Sequence, residues 1–314
     1  MKKLLIVILC LVVFGAAGIV SSSASNSGET KNVVKEGESD SSDASANAAS
    51  DESDKKEKSE ETKAASTDTP TIEEQVLLDT DGIKITATGY TTDGLLGDGI
   101  KLLIENNSDT DYTIGCDALI VNDYMINDLF ASTVAAGKTA NETMNLYSSE
   151  LKAAGIENVG QIEMYFHAYD DNFNYLFQKE YAVIKTSSYD DMDTSVDEEG
   201  TELYNENGIR IVGKTVDENS FWGTSILLYV ENNSGKNVGI SVDDMSVNGV
   251  MMDPLFSTTV YDGKKAVDPI TLFESDLQEN NIESIELAEL KFNIYNADSY
   301  QTIVETDPIS ISAQ

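Results

Sequence analysis

Few residues of this sequence are of the types that perform nucleophilic or acid–base chemistry, and their spacing matches no common catalytic arrangement. There is one histidine, His167, and outside the hydrophobic leader one cysteine, Cys116. A hydrolase triad needs a nucleophile, a base and an orienting acid in contact, and no Gly-x-Ser-x-Gly or His-Glu-x-x-His pattern occurs. We interpret His167 as an ordinary strand residue and Cys116 as a small buried side chain. One histidine and one cysteine cannot supply a zinc site, so no catalytic, cofactor-binding or metal-ligating residue is assigned.

The stretch from Asp191 to Glu202 has a spacing that resembles a calcium-binding loop. Oxygen-bearing residues stand at alternate positions and an acid closes the stretch, as in the twelve-residue EF-hand loop. Two features oppose this interpretation: Val196 occupies the position of the required glycine, and the flanking segments are predicted strands rather than helices. An acidic linker meets such a spacing easily by chance. We therefore favour a solvated linker without a bound cation.

Aromatic residues in predicted loops are further candidates for ligand contact. Phe221-Trp222, which contains the only tryptophan, corresponds to Leu95-Leu96 in the repeat described below. Because both positions keep an apolar pair, we favour a lid over the core rather than a binding site. A second group of rings is consistent with two interpretations, burial in the core and contact with a ligand. This group comprises Tyr169, Phe173 and Tyr175, beside Asp170-Asp171-Asn172.

The elements that must position these residues occur twice along the chain. Placing Gly82 over Gly208 gives an offset of 126 residues that persists almost without gaps to the end of the sequence. The matching pairs are Asp81-Gly82-Ile83 with Asn207-Gly208-Ile209, residues 104–108 with 230–234, Val121-Asn122 with Val247-Asn248, Leu129-Phe130 with Leu255-Phe256, and Gly137-Lys138 with Gly263-Lys264. The period is too long for a solenoid unit, so each copy is predicted to be a whole domain. His167 becomes Asn293 and Cys116 becomes Val242 in the second copy.

Turn and helix signals recur at the same offset. Asn248-Gly249 predicts a two-residue type I′ hairpin turn, and Asn122-Asp123 is its weaker counterpart. One short helix is predicted in each copy, with a serine N-cap and an acid in its first turn. Its end is predicted at a residue type that tolerates a left-handed backbone. The expected N-caps are Ser149 and Ser275, and the expected ends are Gly155 and Asn281.

Between these signals, apolar and polar residues alternate in short runs rich in Tyr, Val, Ile and Thr, which is typical of half-buried strands. We predict an all-β protein with two tandem immunoglobulin-like β-sandwich domains, each with one short helix. These domains follow an N-terminal hydrophobic helix and a disordered stalk. The expected segments are a signal peptide or anchor at 1–24, a disordered polar stalk at 25–70, repeat 1 at 71–186, an acidic linker at 187–202 and repeat 2 at 203–314.

The hydrophobic leader predicts export. Two lysines precede an unbroken apolar run over residues 4–20. This run is slightly long for the core of a signal peptide and slightly short for a membrane-spanning helix. Three alternatives remain open: cleavage after Ala24, retention as an anchor, and lipidation at Cys10. The expected location is extracytoplasmic, either secreted or attached to the outer face of the membrane.

The formal net charge is −36, from 56 acidic and 20 basic residues. Most of the excess lies in the predicted domains rather than in the stalk. Such a surface repels phosphate backbones and anionic lipids. We therefore expect no nucleic-acid partner, and membrane contact only through the leader if it is not cleaved.

The repeated motifs resemble a known kind of domain. The order of motifs is similar to that of immunoglobulin-like domains. It runs Gly-Ile-x-Ile, a strand ending in Glu-Asn-Asn-Ser, then Val-Asn-Gly, Leu-Phe, Gly-Lys and a short helix that ends before Ile. Such domains recur in tandem in secreted or membrane-attached proteins of clostridial-type Gram-positive bacteria. The resemblance covers most of 76–186 and 203–312. It implies an extracytoplasmic β-sandwich and carries no catalytic residues.

The expected function is a non-enzymatic binding or structural module at the cell envelope, with a protein or glycan partner. The alternative is an extracytoplasmic glycan hydrolase that uses paired carboxylates. A deep cleft in which two carboxylates converge would favour the hydrolase. An exposed aromatic patch would favour the binding module.

Overall fold

The structure is a computed structural model that describes residues 30–36, 69–94, 97–127, 129–193, 195 and 199–313. Strands make up 62% of these residues and helices 6%, so the prediction of an all-β fold is confirmed. The leader at 1–24 and Leu95-Leu96 lie outside the described residues. In the described ranges, no helix has the length and apolar character needed to cross a membrane.

The strands are numbered along the chain, beginning with β1 (Lys31–Lys35). Residues 69–193, here called the first half, contain β2 (Gln75–Thr80), β3 (Ile83–Gly94), β4 (Gly97–Asn106), β5 (Tyr112–Val121), β6 (Tyr124–Ile126), β7 (Ala131–Val134), β8 (Lys138–Tyr147), helix α1 (Ser148–Ala153), β9 (Gln161–Tyr169) and β10 (Tyr175–Lys185). A 3₁₀ turn follows at Tyr189–Asp191. Residues 199–313, the second half, contain β11 (Thr201–Glu206), β12 (Ile209–Ser220), β13 (Gly223–Asn232), β14 (Val238–Val247), β15 (Val250–Met251), β16 (Ser257–Val260), β17 (Lys264–Phe273), helix α2 (Glu274–Glu279), β18 (Ala288–Asn296), β19 (Thr302–Glu305) and β20 (Ile309–Ala313).

The first half has two layers of antiparallel strands. One layer is a sheet in the order β2-β3-β4-β8, and the other is built on β10-β9-β5. Side chains at alternate positions of a strand point to the same face. The inward faces of the two layers therefore form one core, in which Ile85 and Leu102 from the first layer join Ile114 and Phe166 from the second. All four side chains are fully buried or nearly so.

The second half repeats this layering. Strands β11, β12, β13 and β17 form one layer, and β14, β18 and β20 are the centre of the other. Its core includes Ile211 and Leu228 from the first layer and Ile240 and Phe292 from the second. The bounds of the elements follow those of the first half at the offset found in the sequence. Ile83 and Ile209, which begin β3 and β12, are 126 positions apart, and so are the first residues of β8 and β17.

The predicted hairpin turns are present in both halves. Asn122 and Asp123 have φ angles of 48° and 68°, and Asn248 and Gly249 have φ angles of 51° and 81°. A type I′ turn requires positive φ at both central residues, and its twist matches that of the flanking strands. These turns join β5 to β6 and β14 to β15.

The ends of the two helices are as predicted, whereas their beginnings are not. Gly155 and Asn281 have φ angles of 69° and 56°. The next amide, of Ile156 in the first half, donates to the carbonyl of Leu151 at 2.8 Å, which completes a Schellman motif. Ser149 lies inside α1, and the N-cap is Tyr147, without a side-chain hydrogen bond. The predicted serine caps, Ser275 included, are wrong because each preceding strand runs straight into its helix without an intervening loop.

The prediction of a disordered stalk over 25–70 is wrong at β1. This strand pairs antiparallel with β12 through Lys31 and Asn32, and with β20 through Val33, Val34 and Lys35. The side chain of Val33 is 2% exposed and belongs to the core of the second half. The five residues of β1 include only two apolar side chains, which are adjacent and do not alternate with polar ones, so the sequence does not distinguish this strand from a polar linker. Residues 37–68 of the predicted stalk lie outside the described residues.

The two halves contact each other through β6 and β17. Tyr124 pairs with Lys265 in parallel orientation, and the amide of Lys265 donates to the carbonyl of Asp123 at 2.9 Å. Val212 and Tyr229, on the outer face of the second half, are fully buried against the core residues of the first half. Apolar contact and hydrogen bonds therefore both link the halves.

Candidate functional site

The outer face of β9 carries a row of rings. The strand alternates between core residues, such as Met164 and Phe166, and the partly exposed Tyr165, His167 and Tyr169. This alternation follows from the two-residue period of a strand. The core anchors one face, so the three outward rings are held at regular intervals on the other.

Neighbouring segments extend this row into an aromatic stripe. The aromatic stripe comprises Tyr165, His167, Tyr169, Phe173, Tyr175, Tyr181 and, from the second half, Tyr261. Ring centroids of Tyr165 lie 5.2 Å from Tyr181 and 5.0 Å from Tyr261. The Tyr169 ring is stacked on Phe173 at 5.5 Å and meets Tyr175 edge-on at 5.9 Å. These separations are typical of favourable ring pairs, so the stripe is internally packed.

Three rings of the stripe are strongly exposed. Phe173 and Tyr175, at the loop end, leave 62% and 54% of their surface in solvent, and Tyr181, beside Tyr165 at the other end, leaves 50%. Phe173 also has a φ of 61°, a left-handed conformation that is uncommon for a bulky residue. The carboxylate of Asp170 holds this loop by accepting hydrogen bonds from the amides of Asn172 and Asn174, at 2.8 and 2.9 Å. A strained backbone that presents an exposed ring is a feature often found at functional sites.

The second half has only a short counterpart of the stripe. Tyr295 stacks on Tyr300 at 6.2 Å, and Tyr300 is 80% exposed with a φ of 56°. The side-chain oxygen of Asn296 accepts hydrogen bonds from the backbone amides of that loop, as Asp170 does in the first half. The positions equivalent to Tyr165 and His167 hold Lys291 and Asn293, so the extended row of rings is specific to the first half.

Burial raises the pKa of three ring hydroxyls in the stripe, those of Tyr165, Tyr181 and Tyr261. Tyr261 is 8% exposed and lies near the Asp117 carboxylate. Burial, with a smaller contribution from Asp117, raises the pKa of Tyr261 to about 12. The hydroxyl is therefore neutral at physiological pH and does not act as a base.

His167 is used structurally. Its Nδ1 lies 2.8 Å from Oδ1 of Asp117. Its Nε2 lies over Gly115, where an added Cβ would come within 2.4 Å of that nitrogen. A catalytic histidine needs its second nitrogen directed at a nucleophile or a substrate. Here that nitrogen faces the backbone, in agreement with the interpretation of His167 as a strand residue.

Asp117 ties two irregular strands together. It lies at a bulge in β5, and its Oδ2 accepts a hydrogen bond from the amide of Lys179, at a second bulge in β10, at 3.0 Å. Partial burial would raise the pKa of Asp117, but the hydrogen bond and charge of His167 and the amide of Lys179 together lower it. The carboxylate therefore stays ionised and supports the sheet beneath the stripe.

Cys116 is half-buried and packs against the core of the first half. Its Sγ lies 3.0 Å from the carbonyl oxygen of Ala118. A cysteine reacts as a thiolate, which needs a positively charged or helix-terminal environment. Contact with a carbonyl oxygen and core residues is instead typical of the packing side chain expected from the sequence.

The prediction that Phe221-Trp222 covers the core is wrong. Ser220 pairs directly with Gly223, so the two rings form the tip of the β12–β13 hairpin. They are 65% and 47% exposed and contact each other edge-on at 4.8 Å. A two-residue turn extends beyond the end of the sheet, which leaves both rings partly in solvent.

An acidic cleft of about 660 Å³ lies between the end of α1 and the segment that connects the halves. Its lining includes four carboxyl groups, those of Glu157, Asp191, Asp193 and Glu199. Hydrogen bonds from Ser195 lower the pKa of Asp193, which is unfavourable for a general acid. The cleft therefore lacks the raised pKa that would mark Asp193 as the acid of a hydrolase.

The stretch from Asp191 to Glu202 is described only at residues 191–193, 195 and 199–202, and its last two residues lie in a strand rather than in a calcium-binding loop. Thr201 and Glu202 lie in β11 and pair with Gly213 and Val212. The carboxylate of Glu202 accepts a hydrogen bond from Nε of Arg210 at 3.2 Å. Within the described ranges, no three acidic, histidine or cysteine residues form a group that could hold a metal ion.

The sequence indicated three members of the stripe as candidate ligand contacts, Tyr169, Phe173 and Tyr175. It named His167 only as a strand residue, and it missed Tyr165, Tyr181 and Tyr261. Tyr165 could have been found, because it stands at the alternate positions of His167 and Tyr169 along one predicted strand. Tyr261 could not, because its ring joins the stripe only through the contact between the halves.

Comparisons with known proteins give only weak similarities. No family model matches the chain, and no curated protein matches it. The YadV chaperone is similar at 12% identity over 74% of this chain and 100% of that chain, with a TM-score of 0.23. The Salmonella enterica SafA pilin in complex with the SafB chaperone is similar at 10% identity over 68% and 88%, with a TM-score of 0.18. The exo-β-D-glucosaminidase CsxA is similar at 10% identity over 69% and 26%, with a TM-score of 0.23. TM-scores this low carry no argument about fold family or function.

Proposed function

We propose that this protein is a non-enzymatic extracytoplasmic binding module, and that the aromatic stripe is its contact surface. The proposed architecture is two tandem immunoglobulin-like β-sandwich domains carried outside the membrane by the leader. The observation that carries the functional proposal is the row of rings along the outer face of β9 and β10 and their connecting loop, in which Phe173, Tyr175 and Tyr181 are exposed. An outer face without a partner normally carries polar residues, and contiguous exposed rings mark binding surfaces.

A glycan is the ligand class that fits this surface best. Flat aromatic faces pack against the apolar faces of sugar rings, and the stripe offers them in series. Asn172 is adjacent to Phe173 and has an exposed side-chain amide that can pair with sugar hydroxyls. Since the chain has a net charge of −36, a neutral or amino-sugar polymer is favoured over an anionic one.

Binding rather than hydrolysis is supported by the location of the carboxyl groups. The exposed rings lie on a sheet face, whereas the acids of the cleft lie near α1 and the connecting segment. In the stripe, Asp117 is occupied by His167 and Lys179, and Asp170 by the amides of its own loop. Neither of these two carboxylates is arranged to protonate a glycosidic oxygen or to attack a sugar.

The test is co-sedimentation of the full chain with insoluble chitin, cellulose and peptidoglycan. We expect the wild-type protein to sediment with at least one of them, and Tyr175→Ala to bind about tenfold more weakly. Tyr300→Ala is the matched control, because it removes an exposed tyrosine from the second half and should leave binding unchanged. Absence of wild-type binding to all three polymers would contradict a glycan ligand. Equal binding by Tyr175→Ala would contradict the stripe as the contact surface.

A further inference from the structure

Strand β1 occupies a groove at one edge of the second half. It begins in the layer of β12 and crosses to the layer of β20, so it bridges the two sheets. The amide of Glu36 donates to the carbonyl of Ser310 at 2.8 Å, and Oγ1 of Thr201 donates to the carbonyl of Val33 at 2.6 Å. Main-chain pairing on both sides is how an added strand binds a sheet.

Side-chain contacts give the groove its specificity. Val33 is 2% exposed and lies directly over Gly213, where an added Cβ would come within 2.4 Å of its Cγ1. The first-half residue at the equivalent position is Ala87, so the space for Val33 is particular to the second half. At the ends of the segment, Lys31 pairs with Glu218 at 2.8 Å, and Glu36 accepts a hydrogen bond from Ser312 at 2.8 Å.

The same place in the first half is filled by the residues just before β2. Thr71 and Ser187 exchange hydrogen bonds of 2.9 and 3.0 Å, and Ile72 packs against the core. In the second half, 126 positions later, Thr71-Ile72 is replaced in the sequence by Asp197-Glu198. Two carboxylates cannot be buried in an apolar groove without a large cost. The second half therefore lacks a local segment for this edge, and β1 takes its place.

The contact is far from local in the sequence, since 168 positions separate Val33 from Thr201. The groove itself places no requirement on which chain the strand comes from. We propose that the groove between β12 and β20 is a strand-binding site that also accepts residues 31–36 of a second copy, so that copies link by strand exchange. The contacts between β1 and the groove are the same whether the strand comes from the same chain or from a second copy. Strand exchange is therefore a low-cost route to an oligomer.

Within one chain the strand competes at a high effective concentration, which favours the closed monomer in dilute solution. Two complementary full-length variants remove this competition. Val33→Asp disables the strand and leaves the groove open, because a charge cannot enter the core. Gly213→Val blocks the groove, because its side chain occupies the space of Val33, and leaves the strand free.

The experiment mixes the two variants in equal amounts and measures mass by size-exclusion chromatography with light scattering. Each variant alone is expected to be a monomer, and the mixture is expected to form a heterodimer. Asn32→Asp is the matched control for Val33→Asp, since it adds the same charge at an exposed position of the same strand. Mixed with Gly213→Val, it should stay monomeric because its own strand still fills its groove.

Circular dichroism establishes that each variant is folded before mixing. If Gly213→Val does not fold, a synthetic peptide of residues 30–36 replaces it as the donor. Fluorescence anisotropy should then show that the peptide binds the Val33→Asp chain and not the Asn32→Asp chain. A mixture of folded variants that stays monomeric overturns the proposal, and so does a peptide that fails to bind the open groove.

Discussion

At the scale of single residues, Phe173 combines a strained backbone with an exposed ring. A left-handed conformation costs a residue with a Cβ about 1–2 kcal/mol, and the stacked pair with Tyr169 returns about 0.5–1.5 kcal/mol. Phe173→Gly should therefore change the free energy of unfolding little, because the relief of strain and the loss of the pair nearly cancel. Glycan binding should fall about tenfold, since an exposed aromatic anchor is lost.

The matched control for this variant is Tyr300→Gly, which relieves the same kind of strain at a φ of 56° in the second half. Urea unfolding measures stability, and co-sedimentation measures binding. If Phe173→Gly destabilised the protein strongly, the ring would be a structural support. Equal binding losses in both variants would show that the two loops are not distinguished by the ligand.

Asp117 provides a prediction about pH. Its pKa is lowered in the folded protein, so it stabilises the fold above the ordinary aspartate pKa of about 3.9, and that contribution is lost as the pH falls through the lower folded value. Asp117→Asn should cost about 1–2 kcal/mol at neutral pH, because a carboxylate that holds His167 and the amide of Lys179 becomes a weaker acceptor. Urea unfolding from neutral to acidic pH should show this difference shrinking below about pH 4. A difference that stays constant with pH would contradict the assignment.

At the scale of elements, the two helix ends offer a matched pair of substitutions. Gly155 and Asn281 occupy equivalent left-handed positions, and no atom lies within 4 Å of a Cβ placed on Gly155. Gly155→Ala should therefore lower the free energy of unfolding by about 1 kcal/mol through backbone strain alone. Asn281→Gly should raise it by about 0.5 kcal/mol. Opposite signs in thermal or urea unfolding are the expected result, and equal signs would contradict the shared cap geometry.

The same contrast explains which elements could be predicted from the sequence. The Asn122-Asp123 turn and the helix end at Gly155 depend on residues within a few positions of each other, so residue type was enough. The N-cap at Ser149 failed because the path of the preceding strand, not the serine, determines where α1 begins. β1 was missed because its partners lie at the far end of the chain. Of the aromatic stripe, the sequence indicated as possible ligand contacts only the rings next to the loop between β9 and β10.

At the scale of the whole molecule, ion pairs add to the apolar contacts and hydrogen bonds between the halves. The chain has 56 acidic and 20 basic residues, so acidic surfaces of the two halves repel each other where no basic side chain lies between them. Lys264 bridges Asp123 and Glu163 of the first half at 2.6 and 2.5 Å. Lys179 of the first half pairs with Asp298 of the second. Two lysines therefore form ion pairs across the contact between the halves.

Lys264 is therefore the side chain whose loss should most weaken the contact between the halves. Burial would lower its pKa, but the hydrogen bonds and charges of Asp123 and Glu163 outweigh it and raise the pKa. This contribution is complete at neutral pH and is lost only as the pH rises through a folded value above about 10.4. Lys264→Met leaves Glu163, 5% exposed, without its cation and should cost about 3 kcal/mol.

Urea unfolding and small-angle X-ray scattering test this expectation together. Lys264→Met should lower the unfolding midpoint and increase the radius of gyration, because repulsion between the acidic halves is no longer offset. Lys138→Met is the matched control, since Lys138 is the equivalent residue of the first half and is exposed at the start of β8. It should change neither quantity. If both variants behaved alike, the apolar contacts of Val212 and Tyr229 would be holding the halves together without help from the lysine.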